Sequence, residues 1–473
     1  MRVRYSLVEI LFVFFVWNMS FAGTRALTVN VRDYGASGDG HTLDTGAIHR
    51  AIEDCSRRGG GTVRFPAGTY LTGSLHLKSH VALQIEKGAV ILGAPNDINA
   101  YDPAEPNPWG QYQDFGHSHF HDALMWGEHL EDVTISGSGT IDGGGITRSD
   151  PDPGGGDKAI ALKLCKDITI RELTIKQGGH FAVLANGCTD MSLLNLTIRT
   201  PRDGIDLMGC SNVLIDSCDI RAIRYEDGKM AGGDDAIGIK SDYALGRKVN
   251  SEHIIVKNCF LSSGCNTLQF GSETVGDFRD IHFSNCVIDH ADKAGIGITS
   301  NDGAIIEDVS YTDIRMTKTA NPIFILVTGR GRAPNHPPAG VIRNVTFRNI
   351  TAEDCYGYIK DRKFTSTISG LPGHPIEHIV FNNVKITYKG GGTRDEADIQ
   401  VPYPEEYSPR HLGVRPASGF YIRHARDIQF HNVAVGFEQE DLRPPLVLKD
   451  VRGITLEQFT AQGAPGDSLV ERR

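Results

Sequence analysis

CKDITIRELTI from Cys165, CTDMSLLNLTI from Cys188 and CSNVLIDSCDI from Cys210 are three successive copies of one phrase. Each has a polar or acidic residue, then an aliphatic one, then apolar side chains at every second position, which is the pattern of a strand with one buried face. The copies start 23 and 22 residues apart. That length holds one solenoid turn of about three short strands with tight bends. It is too short for a strand followed by a helix.

The same phrase recurs outward in both directions. Upstream it is LEDVTISGSGTI from Leu130, and downstream it restarts at Ser251, Phe278, Ile306, Ile342, Ile376, Ala425 and Val451. A second apolar strand precedes most copies: FAVLANGC, DGIDLMGC, DAIGIKSD, NTLQFGSE, AGIGITSN and PIFILVTG. Short strand-rich repeats with almost no helix between them predict an all-β fold, a single-stranded right-handed parallel β-helix. Propeller blades need about 40 residues at regular spacing, and a β-sandwich shows no repeat.

Nearer the N-terminus, 27–36 (LTVNVRDYGA) alternates like a strand, and 61–93 breaks into short strands separated by turns. Between them 44–57 reads as a helix, with Asp44 able to cap it, an apolar stripe of Ala47, Ile48, Ala51 and Ile52, and glycines 59–61 ending it. A helix at the start of such a coil is expected to cover the open end of its core. Residues 1–26 carry Arg2 and Arg4, an apolar run from Leu11 to Trp17, and then Ala22 and Ala26. This is the layout of a secretory signal peptide, and the run is short for a membrane span. The expected organisation is therefore 1–26 as leader and 27–473 as one β-helix domain, because repeat folds grow along one axis without dividing. The expected location is secreted, extracellular or periplasmic, with no membrane attachment after the leader is removed.

Without Arg2, Arg4, Arg25 and Glu9 the formal charge falls from -10 to -12. That surface does not favour nucleic acid, and a polyanionic substrate would need a local basic patch. Nine cysteines in a secreted chain suggest disulfides with one left over. Against this, Cys165, Cys188 and Cys210 occupy one place in three successive repeats, as a buried stack of small apolar side chains would.

Three insertions break the rhythm, at 95–128, 221–233 and 390–417, and such loops often build a binding site. Aromatic residues on the first (Trp109, Tyr112, Phe115, Phe120, Trp126) and third (Tyr403, Tyr407) suit either sugar stacking or packing against the coil. The stretch 200–241 holds two similar phrases, Asp203-Gly-Ile-Asp-Leu and Asp235-Ala-Ile-Gly-Ile. On neighbouring rungs of a parallel sheet these aspartates stand roughly 5 Å apart, and Asp234 adds a third carboxylate. In the same frame Asp203 and Asp235 align with Asn266 and Ala294, and an outward row reads Asp206, Gly238, Gln269, Gly297. The two glycines suggest a shallow floor for a flat ligand, with Gln269 beside it. Aspartates at bends often only satisfy backbone N–H groups. Three like charges on adjacent rungs need solvent, partners or a shared proton, which points to function. Asp203 and Asp235 share parity with core-facing Ile205 and Ile237, so a bend before each strand must re-aim them.

PRDGID (201–206), GGDDAIGIKS (232–241) and NTLQFGSE (266–273) resemble the Asn-Thr-Asp, Asp-Asp and Gly-His-Gly segments of the polygalacturonase family, glycoside hydrolase family 28. The likeness spans nearly the whole chain beyond the leader, including the opening VRDYGASGDG (31–40). It implies an inverting hydrolase of a pectic polysaccharide that needs no cofactor or metal. Asp234 would be the general acid, and Asp203 and Asp235 would hold the attacking water. Pro201 and Arg202 stand where the family has Asn-Thr, Asn266 where it has His, and Gly295-Ile296-Gly297 where it has Arg-Ile-Lys. These departures suit a rhamnogalacturonan-type or other mixed pectic glycan. Lys240, Lys293, Arg202, Arg330 and Arg332 are candidates for replacement charge beside Asn266.

His117, His119 and His121 alternate before Asp122, and such a row can bind zinc. Sugar hydrogen bonding is the preferred reading, and no metal is assigned. Asn195, Asn344 and Asn349 begin glycosylation sequons. Two rival functions stand beside the hydrolase: a β-helix lyase, with a Lys or Arg base and calcium on the carboxylates, and a non-catalytic glycan-binding β-helix.

Overall fold

The computed structural model describes residues 27–114, 116–148, 154–355, 364–462 and 469–473. The expected leader, 1–26, lies outside the described residues. All eleven copies of the repeat are strands, and each pairs in parallel with the next. The pairing holds the predicted frame throughout: Lys166 faces Glu131 and Thr189, Ser211 faces Glu252, and Ala425 faces Val451. A turn of the coil comprises three strands, for example Asp203–Met208, Ser211–Asp216 and Asp219–Glu226. The architecture is a parallel β-helix. The described strands run parallel except in a hairpin, where Asp219–Glu226 turns back on Lys229–Gly233 inside the second insertion.

The polar residue early in each repeat has a backbone reason. The third residue of every copy is left-handed: Asp132, Asp167, Asp190, Asn212, His253, Asp280, Asp308, Asn344, His378, Asp427 and Gly453 have φ between 53° and 64°. An ordinary L-residue loses about 1–2 kcal/mol there, whereas Asn, Asp, His and Gly enter this region more readily. A second left-handed column falls five residues later. In it Asn285 donates to Asn258, Asn383 to Asn349 and Asn432 to Asn383, at 2.7 to 3.1 Å. The three sequon asparagines belong to these two columns, so the coil itself accounts for Asn at those places.

Inward side chains form one apolar core from Val29 to Phe459. All nine cysteines are buried and free. Cys165, Cys188 and Cys210 form one column, and Cys218, Cys259 and Cys286 form another, set by the same register. Further along, Phe283, Tyr311, Phe347, Phe381 and Phe430 stack face to face, with ring centroids 4.5 to 5.3 Å apart.

The start of the chain differs from expectation. The strand predicted over 27–36 is only Thr28–Asn30, because the Asn30 side chain accepts from Arg32 N at 2.9 Å and turns the chain into a short 3-10 segment, Val31–Tyr34. Helix α1, Thr45–Arg57, buries Ala47, Ile48, Ala51, Ile52 and Cys55 in the common core. Asp44 precedes it, but its carboxylate accepts from Ser37 N and Gly38 N at 2.7 and 2.9 Å and leaves the helix end uncapped by a side chain. The third insertion carries one further helical turn, Arg394–Ala397, opened by a capping box of Thr393 and Glu396.

Candidate active site

Ile205 pairs with Ile237, Ile237 with Leu268 and Leu268 with Ile296, so Asp203, Asp235, Asn266 and Ala294 form one column as predicted. Bends before the strands turn Asp203 and Asp235 into a cleft of about 510 Å³, lined also by Asp114, His117, His180, Arg202, Asp234, Lys240, Ser272 and Tyr407. The outward row of Asp206, Gly238, Gln269 and Gly297 is also in the predicted register. It is not a floor for a ligand. A Cβ on Gly238 would meet Asp206 Oδ1 at 2.4 Å, and one on Gly297 would meet Gln269 Oε1 at 2.0 Å. The longer side chain of each neighbouring rung lies over the glycine, so the row is filled from within.

Four carboxylates and three cations interlock around the cleft. Lys240 Nζ lies 2.6 Å from Asp206 Oδ2 and 3.7 Å from Asp203 Oδ1. Arg202 grips Asp234, with Nη2 at 2.9 Å and Nε at 3.2 Å from the same oxygen, Oδ2. Lys293 Nζ is 3.1 Å from the Tyr407 hydroxyl, and its charge also reaches Asp234 and Asp235. Burial raises Asp203 well above the usual carboxylate range, helped by the charges of Asp234 and Asp206 and opposed by Lys240 and Arg202. Burial likewise raises Asp235, with the Asp234 charge adding to it. Asp234 goes the other way. Burial pushes it up, but Arg202, Lys293 and Lys240 together hold it below the usual range. Burial alone would lower Lys240, yet Asp206, Asp203 and Asp235 raise it well above the ordinary lysine value.

Asn266 is buried and donates through Nδ2 to Asp235 Oδ1 at 2.8 Å, and its backbone N reaches the same oxygen at 3.2 Å. It orients the carboxylate. Gln269 is buried on Phe270 O and Thr299 Oγ1 and does not line the cleft. Arg330 is bound to Asp302, and Arg332 joins Asp114 to the buried Glu273. Lys293 lines a second cleft of about 730 Å³, which meets the first at Arg202, Asp234 and Tyr407. Arg148, Arg224 and Arg410 also line it.

The histidines of the first insertion do not converge on a metal. His117 Nδ1 is 3.5 Å from Glu273 Oε2, His121 stacks on Trp126 at 3.9 Å, and Asp122 accepts from the buried Lys158. Among the described residues, ligand atoms of Asp234, Asp235 and Cys265 lie within 4.8 Å of one another. Arg202 and Lys293 already supply positive charge there. His180 is a cleft residue that motif reading missed. It stacks on Phe181, and burial, then the Arg202 charge, pushes its pKa well below 6.5, so it is neutral. His117 is neutral too, through burial and then Lys240. Phe181 pairs with Asp203, so extending the strand frame one rung upstream puts His180 beside Arg202. Asp114, His117 and Tyr407 come from insertions, whose path over the coil no periodicity encodes.

The family model for glycosyl hydrolases family 28 matches residues 55–404. Over 390 residues the chain is 29% identical to a probable polygalacturonase of Vitis vinifera, covering 76% of this chain and 74% of that protein. Over 376 residues it is 27% identical to an endo-polygalacturonase of Pectobacterium parmentieri, covering 72% and 84%. A family 28 exopolygalacturonase of Yersinia enterocolitica has the same fold, with a TM-score of 0.69 at 20% identity over 91% of this chain and 78% of that one.

Proposed function

The chain belongs to glycosyl hydrolases family 28, a glycoside hydrolase acting on O-glycosidic bonds, and from that premise we propose that it is secreted and cleaves a pectic polysaccharide of galacturonate or rhamnogalacturonan type with inversion. The proposal takes 27–473 as one right-handed β-helix domain, the hand favoured by parallel crossovers, with α1 closing its N-terminal end. The observation that carries the chemistry is the convergence of Asp203, Asp234 and Asp235 in one cleft with cations interleaved. Asp234 gives its proton to the glycosidic oxygen as the bond to the anomeric carbon breaks. Asp203 and Asp235 hold a water on the opposite face and take its proton as it attacks. Asn266 fixes the Asp235 carboxylate for that task. Neutral His180 and His117 offer hydrogen bonds to hydroxyls without adding charge, and Tyr407 offers a ring face.

The interlocked cations favour hydrolysis over the lyase reading. Arg202 and Lys240 are engaged by carboxylates and are poorly placed as bases, and with Lys293 they already neutralise the cluster that calcium would occupy in a lyase. The test uses purified pectic fragments, with products followed by NMR. Inverted anomeric configuration at the new reducing end is expected, and Asp234→Asn should lower kcat by about 10²–10⁴-fold. Retention of configuration, an unsaturated uronate absorbing in the ultraviolet, or full turnover by Asp234→Asn would each overturn this function.

A further inference from the structure

We propose that Arg202 is the specificity-determining residue through which this protein selects carboxylate-bearing sugars: its guanidinium clamps Asp234 as a carboxylate in the free protein and releases it when a substrate carboxylate takes the guanidinium over. The inference rests on the hydrolytic reading above, in which Asp234 is the acid.

An acid held in an ion pair has no proton to give. Arg202 reaches Asp234 Oδ2 through both Nε and Nη2, while Nη1 donates to Arg148 O at 3.1 Å, so the guanidinium is oriented from two sides. The pair is also within reach of a ligand, since the Arg202 side chain is 32% exposed and that of Asp234 24%. It stands on the seam between the two clefts. The second cleft is where a carboxylate would be drawn. Its Arg148 and Arg410 form no ion pair among the described residues, and Lys293 lines it too. Arg224, by contrast, is occupied by Glu226.

Charged and titratable groups face Asp234 from several elements. Arg202 approaches from the bend before the Asp203–Met208 strand, Asp203 and Asp206 from that strand, and Asp235 and Lys240 from the next rung. Cys265 and Lys293 follow on later rungs, Tyr407 comes from the third insertion, and neutral His180 and His117 line the same cleft. With Arg202 on Asp234, burial and the Asp234 charge favour the protonated form of Asp203 and of Asp235, both of which are almost fully buried. Once a uronate draws Arg202 away, Asp234 keeps its like-charged neighbours and loses its closest cation, a larger loss than at Asp203, which Arg202 approaches only to 3.9 Å and which keeps Lys240 at 3.7 Å. The favoured step is then transfer of one proton from Asp203 or Asp235 to Asp234. One O–H bond breaks and another forms with no change in net charge, which leaves the acid loaded and the base ionised. Lys240, 3.7 Å from Asp203, stabilises the carboxylate so exposed. A methyl-esterified uronate carries no charge to compete for Arg202 and leaves the acid clamped.

The test compares Arg202→Gln with the parent protein on a defined oligogalacturonide and on its methyl ester. In the parent, kcat/KM should favour the free acid by about tenfold or more. Arg202→Gln should lower activity on the acid, raise kcat on the ester and bring the ratio close to one. It should also move the alkaline limb of kcat/KM on the ester to higher pH. Competitive inhibition by galacturonic acid should weaken about tenfold in the variant, while inhibition by its methyl ester stays unchanged. Equal loss on both substrates, or no change on either, overturns the role of Arg202 and leaves the hydrolytic reading standing. Full turnover by Asp234→Asn in the same assays overturns that reading, and this inference with it.

Discussion

Asp242 lies outside the cleft lining but belongs to the same buried charge system. It is 4% exposed and accepts from Asn186 Nδ2 at 3.1 Å and from Ala244 N at 3.1 Å. Burial pushes its pKa up to about 7, against the two hydrogen bonds, with the Glu273 charge adding and Lys240 opposing. An unperturbed aspartate titrates near 3.8, so the folded state binds this proton more tightly than the unfolded chain. The stability this group contributes is therefore full below about pH 4 and is lost as pH rises through about 7. Asp242→Asn keeps an acceptor for both donors and removes the charge. The variant should melt roughly 2–4 °C above the parent at pH 8, with the gap closing at pH 4. Melting curves that coincide at pH 8 would show that the carboxylate is stabilised by groups other than those named. Within the same buried system, Asp203 and Asp235 were recognisable from the strand frame while the ion pair of Arg202 with Asp234 was not. Column membership follows from alternation, but a guanidinium bound to a carboxylate on the next rung is a matter of side-chain reach.

At the scale of the element, the third residue of each repeat can be tested directly. Asn212 has φ 56° and donates to Asp190 Oδ1 at 3.0 Å on the surface. Asn212→Ala should cost about 1–2 kcal/mol, because the methyl group meets the backbone in the left-handed region, whereas Asn212→Gly should cost only a few tenths. Chemical denaturation of both variants decides it, and equal losses would mean that the side-chain hydrogen bond, not the backbone, selects Asn. This column was visible in the sequence only as a preference for polar residues, because the alternation of a strand says nothing about φ. The eleven strands and their register were legible, since one slip would move every inward side chain to the outside. The insertions were legible as breaks in rhythm, but not in their courses. The third is fixed by two fully buried arginines. Arg423 donates to Ser369 Oγ, Val401 O and Pro402 O and lies 4.0 Å over the Tyr403 ring, while Arg415 donates to Thr367 Oγ1 and Pro409 O. They hold in place the loop that carries Tyr407 into the cleft, and nothing in their sequence neighbourhood distinguishes them from surface charges. The proposed glycine floor failed for a related reason, because Asp206 and Gln269 extend along the coil and fill the space above Gly238 and Gly297.

For the whole molecule, a stack of rungs couples each turn chiefly to its neighbours, so stability is a sum of local terms and adjacent interfaces. The inward column is aliphatic near the N-terminal end, with Ile135, Ile170, Leu193, Ile215 and Val256. It becomes aromatic from Phe283 onward, through Tyr311, Phe347, Phe381 and Phe430. Phe347 has no exposed surface and lies between Tyr311 at 5.3 Å and Phe381 at 4.9 Å, both rings within 7° of parallel. Phe347→Ala removes two stacking contacts and leaves a cavity, a loss of about 3–5 kcal/mol. In a globular core that loss would lower protection everywhere. Here it should be local: hydrogen exchange should accelerate in Ile305–Thr317, Val341–Cys355 and Ile376–Tyr388, while Asp203–Met208 and Ser211–Asp216 keep the parent's protection. Protection that persists on the rungs of the cleft would explain how Asp203, Asp234 and Asp235 tolerate so much like charge, since the turns carrying them are anchored independently of the coil downstream. Uniform acceleration across both sets of strands would instead make the coil one cooperative unit, and the clamp on the carboxylates would then draw on the stability of the entire stack.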